Sequence, residues 1–235
     1  EDKTLRSLAA MCGLSAAPKR MESYDISNTG ASDIVASMVV YEGAKPKKSA
    51  YRRFKIKSLS AHPDDYASME EVLTRRIQRY LDGDEKFSPL PDVMLIDGGI
   101  THAGVAERVC AQMHVHVPIF GMVKDDHHRT RAIVDSDGRE IAINMNRGTF
   151  TFITAIQDET HRFANAYRKQ QMKQKSYSST LTEVPGVGPK TAKALMAQFK
   201  SVGAVKEATP DQLENTPGVG RQMAQTIYEY FHPQG

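Results

Sequence analysis

Hydrophobic and polar positions follow two different periods along the chain, and these periods predict its elements. Three early segments are rich in Val, Ile, Tyr and Phe and are separated by turn residues, which is typical of antiparallel strands joined by short loops. Two buried strands come later, each next to a helix, and a hairpin around Asp137-Gly138 follows them. The predicted strands are 20–28, 33–41, 49–57, 92–97 and 117–123, with the hairpin at 130–143.

Apolar residues at steps of three and four predict four helices in the same part of the chain. They are 3–15, 64–82, 101–113 and 148–175. Three antiparallel strands followed by helix, strand, helix, strand and helix predict an α/β fold, with a mixed sheet flanked by helices. In the third strand, Tyr51 shares a face with basic residues, so we expect a basic outer surface there.

The last third of the chain contains an internal repeat. A Ser-rich segment, 176–181, predicts a hinge between a first domain, 1–175, and a second, 182–235. Beyond it, EVPGVGPKTAKALMAQF and NTPGVGRQMAQTIYEYF repeat with a shift of 32 residues. Each copy places Pro-Gly-Val-Gly before an amphipathic helix, which predicts a small all-α tandem helix–hairpin–helix domain; a simple interhelical turn is the alternative for either copy.

Glycines at a helix start leave backbone amides that can bind a phosphate oxygen. The second domain carries five Lys/Arg and five Asp/Glu, so attraction to DNA would come from these amides more than from net charge. Two copies would hold two phosphates without reading bases. The candidate DNA-binding residues of the repeat are Gly186, Gly188, Lys190, Gly218, Gly220 and Arg221.

Charge and composition narrow the function classes. The net charge is only +3, but 45–57 carries seven Lys/Arg and no acid, which suits a phosphate backbone or a solvated edge strand. No apolar run approaches the roughly 20 residues needed to cross a bilayer, so we expect no membrane span. Two cysteines and a start without signal-peptide features predict a cytoplasmic protein.

Three residues form a candidate catalytic group. Asp25 lies within the first strand, Asp97 ends the strand VMLID, and His161 lies on the long helix. Carboxylates brought together in this way repel each other unless a cation lies between them, and Mg²⁺ or Mn²⁺ prefers such ligands. The pattern predicts a divalent-metal site for phosphodiester hydrolysis. Taken singly, each residue also suits a turn, a strand end or a helix surface.

Several long motifs carry a family resemblance. They are ESYDISNTGASDIVASMVVYEGAKPKKSAYRRFKIK, DDYASMEEVLTRR, LPDVMLIDGG, DDHHRTRA and DETHRFA, followed by the hairpin pair. In this order they resemble the C-terminal half of the UvrC family, the incision subunit of the bacterial nucleotide excision repair nuclease. The resemblance implies a ribonuclease-H-like endonuclease domain that nicks the damaged strand on the 5′ side of a lesion.

The resemblance also implies site residues. The Asp of DIS corresponds to Asp25, the Asp of IDGG to Asp97 and the His of HRFA to His161. The acid of DDYASM corresponds to Asp64 or Asp65, both of which also suit a helix N-terminus. Arg129 and Arg131 are positioned to bind phosphates, with a loop of solvated charge as the alternative. The chain departs from the family pattern at Asn28, Ile100 and Gln157.

The implied partners are duplex DNA with a lesion or bubble, and UvrB. We expect the UvrB-binding segment and the family's N-terminal GIY-YIG nuclease domain to be absent from this chain. Two other functions are compatible with the motifs. One is a different ribonuclease-H-like nuclease, such as a resolvase or transposase, and the other is a non-catalytic scaffold whose hairpins bind DNA.

Overall fold

The computed structural model describes residues 2–28, 33–58 and 65–234. The chain divides into two compact units, Glu1–Ala166 and Tyr167–Gly235. The strands are β1 Arg20–Asn28, β2 Ile34–Glu42, β3 Lys45–Pro46, β4 Arg52–Lys55, β5 Val93–Asp97, β6 Ile119–Lys124, β7 Thr130–Val134 and β8 Glu140–Ile141. The helices are α1 Asp2–Cys12, α2 Asp65–Leu81, α3 Gly99–Gln112, α4 Arg147–Thr182, α5 Pro189–Phe199, α6 Val202–Glu207, α7 Pro210–Glu214 and α8 Arg221–Phe231. Among these described helices, none has the length and apolarity to cross a bilayer.

The strands of the first unit form one mixed sheet in the order β3-β2-β1-β5-β6-β7-β8, with β4 also paired to β2. The N-terminal strands β1, β2 and β4 pair antiparallel. At the centre, β1, β5 and β6 run parallel, and β7 and β8 continue the sheet antiparallel. The mixed sheet predicted from the sequence is confirmed, and its parallel centre brings the carboxyl ends of three strands to one edge.

Helices cover both faces of the sheet. The side chains of β1 alternate between the two faces, so consecutive residues contact different helices. On one face, Glu22 binds the guanidinium of Arg76 from α2 at 2.7 Å. On the other face, the hydroxyl of Thr160 from α4 donates to Ser23 Oγ at 2.9 Å. The centre of the sheet is therefore held between α2 and α4, and the buried apolar residues of both faces form one core.

The basic outer face predicted for the third strand is only partly present. That strand is shorter than expected, and Tyr51, just before β4, is buried against α4. Its hydroxyl donates to Glu159 at 3.0 Å, and its ring packs edge-on against Phe163. The guanidinium of Arg53 lies 3.7 Å from the centre of the Phe163 ring. Part of the strand face predicted to be exposed therefore packs against α4 and removes apolar side chains of that helix from solvent.

The Ser-rich segment 176–181 does not interrupt the secondary structure, contrary to the prediction. It lies inside α4, which continues to Thr182, and the division between the two compact units also falls within this helix. Hydroxyl groups here bond to backbone carbonyls one turn earlier, as Thr180 does to Ser176. Leu181 is buried in the second unit's core, which secures the C-terminal end of the helix.

The second unit is a small all-α domain, as predicted. Its short helices surround a separate apolar core that includes Leu195 of α5, Leu213 of α7 and Ile227 of α8. The two halves of the sequence repeat contribute α5 and α8, each preceded by its Pro-Gly-Val-Gly segment. The repeat therefore forms two structurally matched helix starts within one domain.

Candidate metal centre and nucleic-acid interface

Two carboxylates lie side by side at the carboxyl edge of the sheet. Tyr24 of β1 and Ile96 of β5 are paired in parallel register. The next residues of the two strands are Asp25 and Asp97, and residues that follow a parallel pair point to the same face. This face is the one that α4 covers through Thr160. The register of two central strands therefore places both carboxylates beneath the long helix.

A glycine turn allows β5 to pass directly from Asp97 into α3. Gly98 and Gly99 have φ angles of +124° and +73°, which L side chains rarely adopt. A Cβ atom at Gly98 would lie 2.2 Å from the ring of His102, and one at Gly121 would lie 2.3 Å from the Gly99 carbonyl oxygen. The absence of a side chain at Gly98, just after β5, and at Gly121 of β6 therefore lets the backbone pack closely beside the carboxylates.

The third member of the group comes from α4. His161 follows Thr160, the residue that contacts β1, and its Nε2 lies 3.0 Å from Asp97 Oδ2. One ligand atom from each of Asp25, Asp97 and His161 can be chosen so that all three lie within 4.8 Å of one another. The structure therefore brings together the three residues singled out in the sequence, in a donor set that can hold one metal ion.

Lys124 is a member of the cluster that the sequence analysis missed. It ends β6, and its Nζ donates to Asp97 Oδ2 at 3.1 Å. The sequence contained a usable signal, because β6 is parallel to β5 and its end reaches the same sheet edge. Asp97 is consequently engaged by two cationic or protonatable groups, whereas Asp25 receives a hydrogen bond from the Ser27 hydroxyl at 3.2 Å.

The two carboxyl groups have opposite pKa shifts. Burial, reinforced by the neighbouring charge of Asp97, raises the pKa of Asp25 to about 6. Burial also acts on Asp97, but the hydrogen bond from His161 and the charge of Lys124 outweigh it and lower its pKa to about 2. The hydrogen bond to Asp97 in turn raises the pKa of His161 above its ordinary value. A half-buried pair of acids that cannot both ionise freely is an environment that favours a bound cation.

Two cavities border the cluster. The first, of about 420 Å³, is lined by Asp25, Asp97 and Lys124, and also by Asp65, which is exposed at the start of α2. The prediction for Asp64 lies outside the described residues. The second, of about 590 Å³, is lined by His161 together with Arg129 and Arg131. Space for a substrate is therefore present on both sides of the triad.

The two predicted phosphate-binding arginines are exposed but not free. Arg129 pairs with Asp125 at 3.1 Å, and Arg131 pairs with Glu140 at 3.1 Å. Each ion pair is within one loop or hairpin and is largely open to solvent. Such pairs contribute little to stability, so both guanidinium groups can exchange a carboxylate for a phosphate at small cost.

The two hairpin segments have nearly the same backbone. Gly186 and Gly218 have φ angles of +83° and +82°, so these positions require glycine. Gly188 and Gly220 precede α5 and α8 with φ angles of −89° and −82°, and a Cβ atom there would meet nothing within 4 Å among the described residues. The second glycine of each pair is therefore not needed by the fold, which leaves the helix start open to an external group.

The helix starts also lack a capping side chain within the described part of the chain. Their first-turn amides are directed outward and retain the capacity to bind an anion. Lys190 is the second residue of α5 and Arg221 the first of α8, and both are exposed. The predicted hairpin residues thus lie at two matched helix N-termini.

Comparison with known proteins identifies the two parts of the chain. Residues 9–165 match the family model described as the UvrC RNase H endonuclease domain. Residues 178–232 match a SAM-like helix-hairpin-helix tandem. The chain belongs to the UvrC family. Its ribonuclease-H-like and helix–hairpin–helix assignments are thereby confirmed.

Curated relatives of this UvrC-family chain carry the name UvrABC system protein C. The one from Acetivibrio thermocellus is 43% identical and covers 98% of this chain but 39% of its own length. The one from Ruminiclostridium cellulolyticum is 44% identical over 97% of this chain and 38% of its own length. The chain therefore spans about two fifths of the relatives it matches. Among solved structures, human endonuclease V is 12% identical, covers 66% of this chain and 90% of its own, and has a TM-score of 0.36.

Proposed function

We propose that this chain is the part of a nucleotide excision repair nuclease that makes the 5′ incision in damaged duplex DNA. The observation that carries the proposal is the cluster of Asp25, Asp97 and His161 within a UvrC RNase H endonuclease domain. The hairpin pair at the second unit supplies the grip on DNA, since its open helix starts suit phosphate oxygens.

The cluster fits a divalent cation of the Mg²⁺ or Mn²⁺ type. Two carboxylates are hard oxygen ligands, and an imidazole is acceptable to Mn²⁺. Burial and mutual repulsion raise the pKa of Asp25, so a cation between the carboxylates relieves an unfavourable charge. When bound, such an ion would supply Lewis acidity to the scissile phosphate and to an attacking water molecule.

The residues of the chain have separate roles in this proposal. Asp25 and Asp97 would hold the cation. His161 Nε2 serves either as the third ligand or as a proton carrier, and Asp97 keeps a proton on that atom when no cation is present. Lys124 pairs with Asp97 in the free enzyme and lines the same cavity, where its ammonium group would bind a phosphate oxygen of the substrate. Asp65, at the mouth of the same cavity, is an outer acid of the site.

The proposed substrate is bacterial duplex DNA that contains a lesion or a bubble, in the cytoplasm. Damage recognition belongs to partners in this scheme, and UvrB is the proposed partner that delivers the DNA. The hairpin amides and Arg129 and Arg131 contact the backbone without reading base sequence. This division suits an enzyme that must cut next to many different lesions.

A nicking assay tests the proposal. The chain is incubated with Mn²⁺ and a duplex that contains a short bubble, and products are mapped at nucleotide resolution. We expect metal-dependent nicking on one strand that falls at least about a hundredfold in Asp25→Asn and His161→Ala. Glu70→Gln is the control, because Glu70 is an exposed acid of α2 that lines neither cavity.

The outcomes separate the alternatives. Unchanged nicking in Asp25→Asn and His161→Ala contradicts the site. Intact DNA binding without nicking by any form of the protein, including a complex with UvrB, indicates the scaffold. Faster cutting of four-way junctions than of bubble or lesion-bearing duplex indicates a resolvase.

A further inference from the structure

The larger of the two cavities is the one beside His161. Its volume is about 590 Å³, and it is lined by residues of β7 and α4 together with the loop before β7. His161 lines this cavity, whereas Asp25 and Asp97 line the other one. A group bound in the larger cavity would therefore lie directly next to the proposed cutting site, on the side of the imidazole.

Three polar atoms at the cavity have no hydrogen-bond partner within the described part of the chain. They are the hydroxyl oxygens of Thr130 and Thr154 and the amide nitrogen of Gln157. Thr130 is 4% exposed and Gln157 is 3% exposed. Leaving one buried polar group unpaired costs about 1–3 kcal/mol, so three around a single cavity are unlike an ordinary core. A bound group that reaches these side chains would supply the missing partners.

The remaining lining indicates the chemistry of that group. Phe150 offers a partly exposed aromatic ring, and Arg129 and Arg131 offer cations at the rim. The carboxylates of Asp125 and Asp158 also line the cavity, which disfavours a bare phosphate in its interior. An aromatic ring, neutral hydrogen-bonding groups and a basic rim together match a nucleobase inside, with its phosphate at the entrance. The volume is within the range of small-molecule sites.

We propose that this cavity binds one unpaired nucleotide of the cleaved strand, adjacent to the phosphate held at Asp25, Asp97 and His161. The base contacts Gln157, Thr130 and Thr154. The phosphate of the nucleotide replaces the carboxylates that pair with the two arginines at the entrance of the cavity. The inference rests on the proposed function, because it assigns the cavity to the same DNA strand. It accounts for a preference for DNA that is locally unpaired near the cut.

The first test measures affinity for two DNAs of the same sequence, one fully paired and one with a short bubble. All proteins carry Asp25→Asn to prevent cutting. Gln157→Leu and Thr130→Val are compared with Thr151→Val, an exposed threonine of α4 that does not line the cavity. Each cavity variant is expected to bind the bubble about three- to tenfold more weakly while binding of paired duplex is unchanged, in line with the loss of one hydrogen bond.

The melting temperature distinguishes a ligand-binding role of Gln157 and Thr130 from a purely structural one. Because the three polar atoms are unpartnered, Gln157→Leu and Thr130→Val are expected to melt at the parent temperature or above it. The combination of a retained fold and a lost bubble preference supports a ligand site. Unchanged bubble preference in folded variants overturns the proposal, and so does an equal loss of affinity for bubble and paired duplex, which would indicate a general backbone contact.

A fluorescent base locates the nucleotide. 2-Aminopurine is placed at each unpaired position of the bubble in turn, and its emission is recorded as protein is added. One position next to the cut is expected to change strongly with the Asp25→Asn protein and weakly once Phe150→Leu is added. No position-specific change overturns the proposal. If the parent never nicks DNA but gives this signal, the cavity proposal stands and the nuclease proposal fails. If the parent nicks DNA without the signal, the nuclease proposal stands and the cavity proposal fails.

Discussion

At the scale of single residues, Asp25 is the described carboxyl group whose ionised form the fold disfavours. Its pKa is raised from 3.8 to about 6, so the folded chain holds the proton more tightly than the unfolded chain does. The resulting stabilisation is fully present below pH 4 and is lost as the pH rises through about 6. In metal-free buffer, Asp25→Asn should therefore exceed the parent in stability by about 1–3 kcal/mol at pH 8 and should match it at pH 4. Urea unfolding at both pH values measures this, and a difference that does not change with pH would contradict the assigned environment.

The same residue should govern how metal binding depends on pH. A cation competes with the proton on His161, whose pKa is raised above its ordinary value, and with the proton on Asp25, so binding weakens as the pH falls through the pKa of His161 and weakens further below about 6. We expect Mn²⁺ to raise the melting temperature of the parent at pH 7.5 and to have much less effect at pH 5. The His161→Ala variant separates two roles: a lost Mn²⁺ shift indicates a ligand, and a retained shift with slow nicking indicates a proton carrier. A shift of equal size in Asp25→Asn would argue against the site.

At the scale of elements, α2 is joined to the sheet by a buried ion pair. Arg76 and Glu22 have fully buried side chains, and Arg76 also donates to the carbonyls of Phe87 and Pro89. Removing one partner leaves a buried charge, so Arg76→Leu should lower the free energy of unfolding by about 3–5 kcal/mol. Arg79→Leu is the matched control on the same helix, because the side chain of Arg79 is 60% exposed where it pairs with Asp84, and it should cost under about 1 kcal/mol. Because Glu22 also pairs with Arg20 at 3.6 Å, Arg76→Leu and Glu22→Leu are compared in a double-mutant cycle by urea unfolding, and simply additive losses would contradict the pairing.

Elements that depend on the pattern of neighbouring residues were predictable from the sequence, and contacts between residues far apart in the sequence were not. The period of apolar residues predicted α2, and Arg76 itself lies three residues after Leu73 on the buried face, but only β1 supplies the acid that permits its burial. Asp25 and Asp97 were expected to lie together because of their metal-ligand chemistry and the family resemblance, whereas the parallel register of β1 and β5 that joins them is not written in either strand alone. The contact from Lys124 depends on the register of β6, and the cavity at Gln157 depends on how β7 meets α4. The continuity of α4 was missed because Ser and Thr favour turns unless a core secures the following residue.

The two glycines of each hairpin should behave differently when replaced. Gly186→Ala and Gly218→Ala force an L side chain into a positive φ and should each cost about 1–2 kcal/mol of folding free energy. Gly188→Ala and Gly220→Ala keep an ordinary φ in open space, so each should cost under about 1 kcal/mol, the difference between Gly and Ala at an N-cap. Their methyl groups would instead obstruct a phosphate, so duplex affinity should fall several-fold. Thermal melts and a duplex titration check both halves, and unaltered affinity in Gly188→Ala with Gly220→Ala would remove the hairpins from the DNA interface.

At the scale of the whole molecule, the two units should contribute to DNA binding through different physics. Residues 182–235 carry no net charge, so their amides bind phosphates as neutral donors, whereas Arg129 and Arg131 bind them as cations. Only cations displace condensed counterions, and each phosphate contact adds about 0.9 to the slope of log affinity against log salt. The double variant Gly188→Ala with Gly220→Ala should therefore lower affinity at every salt concentration without changing the slope. Arg129→Gln with Arg131→Gln should reduce the slope by about one to two units. Titrations of one duplex between low and moderate salt measure both, and a reduced slope in the glycine variants would mean that the second unit is held to DNA by its lysines and Arg221 instead of its helix starts.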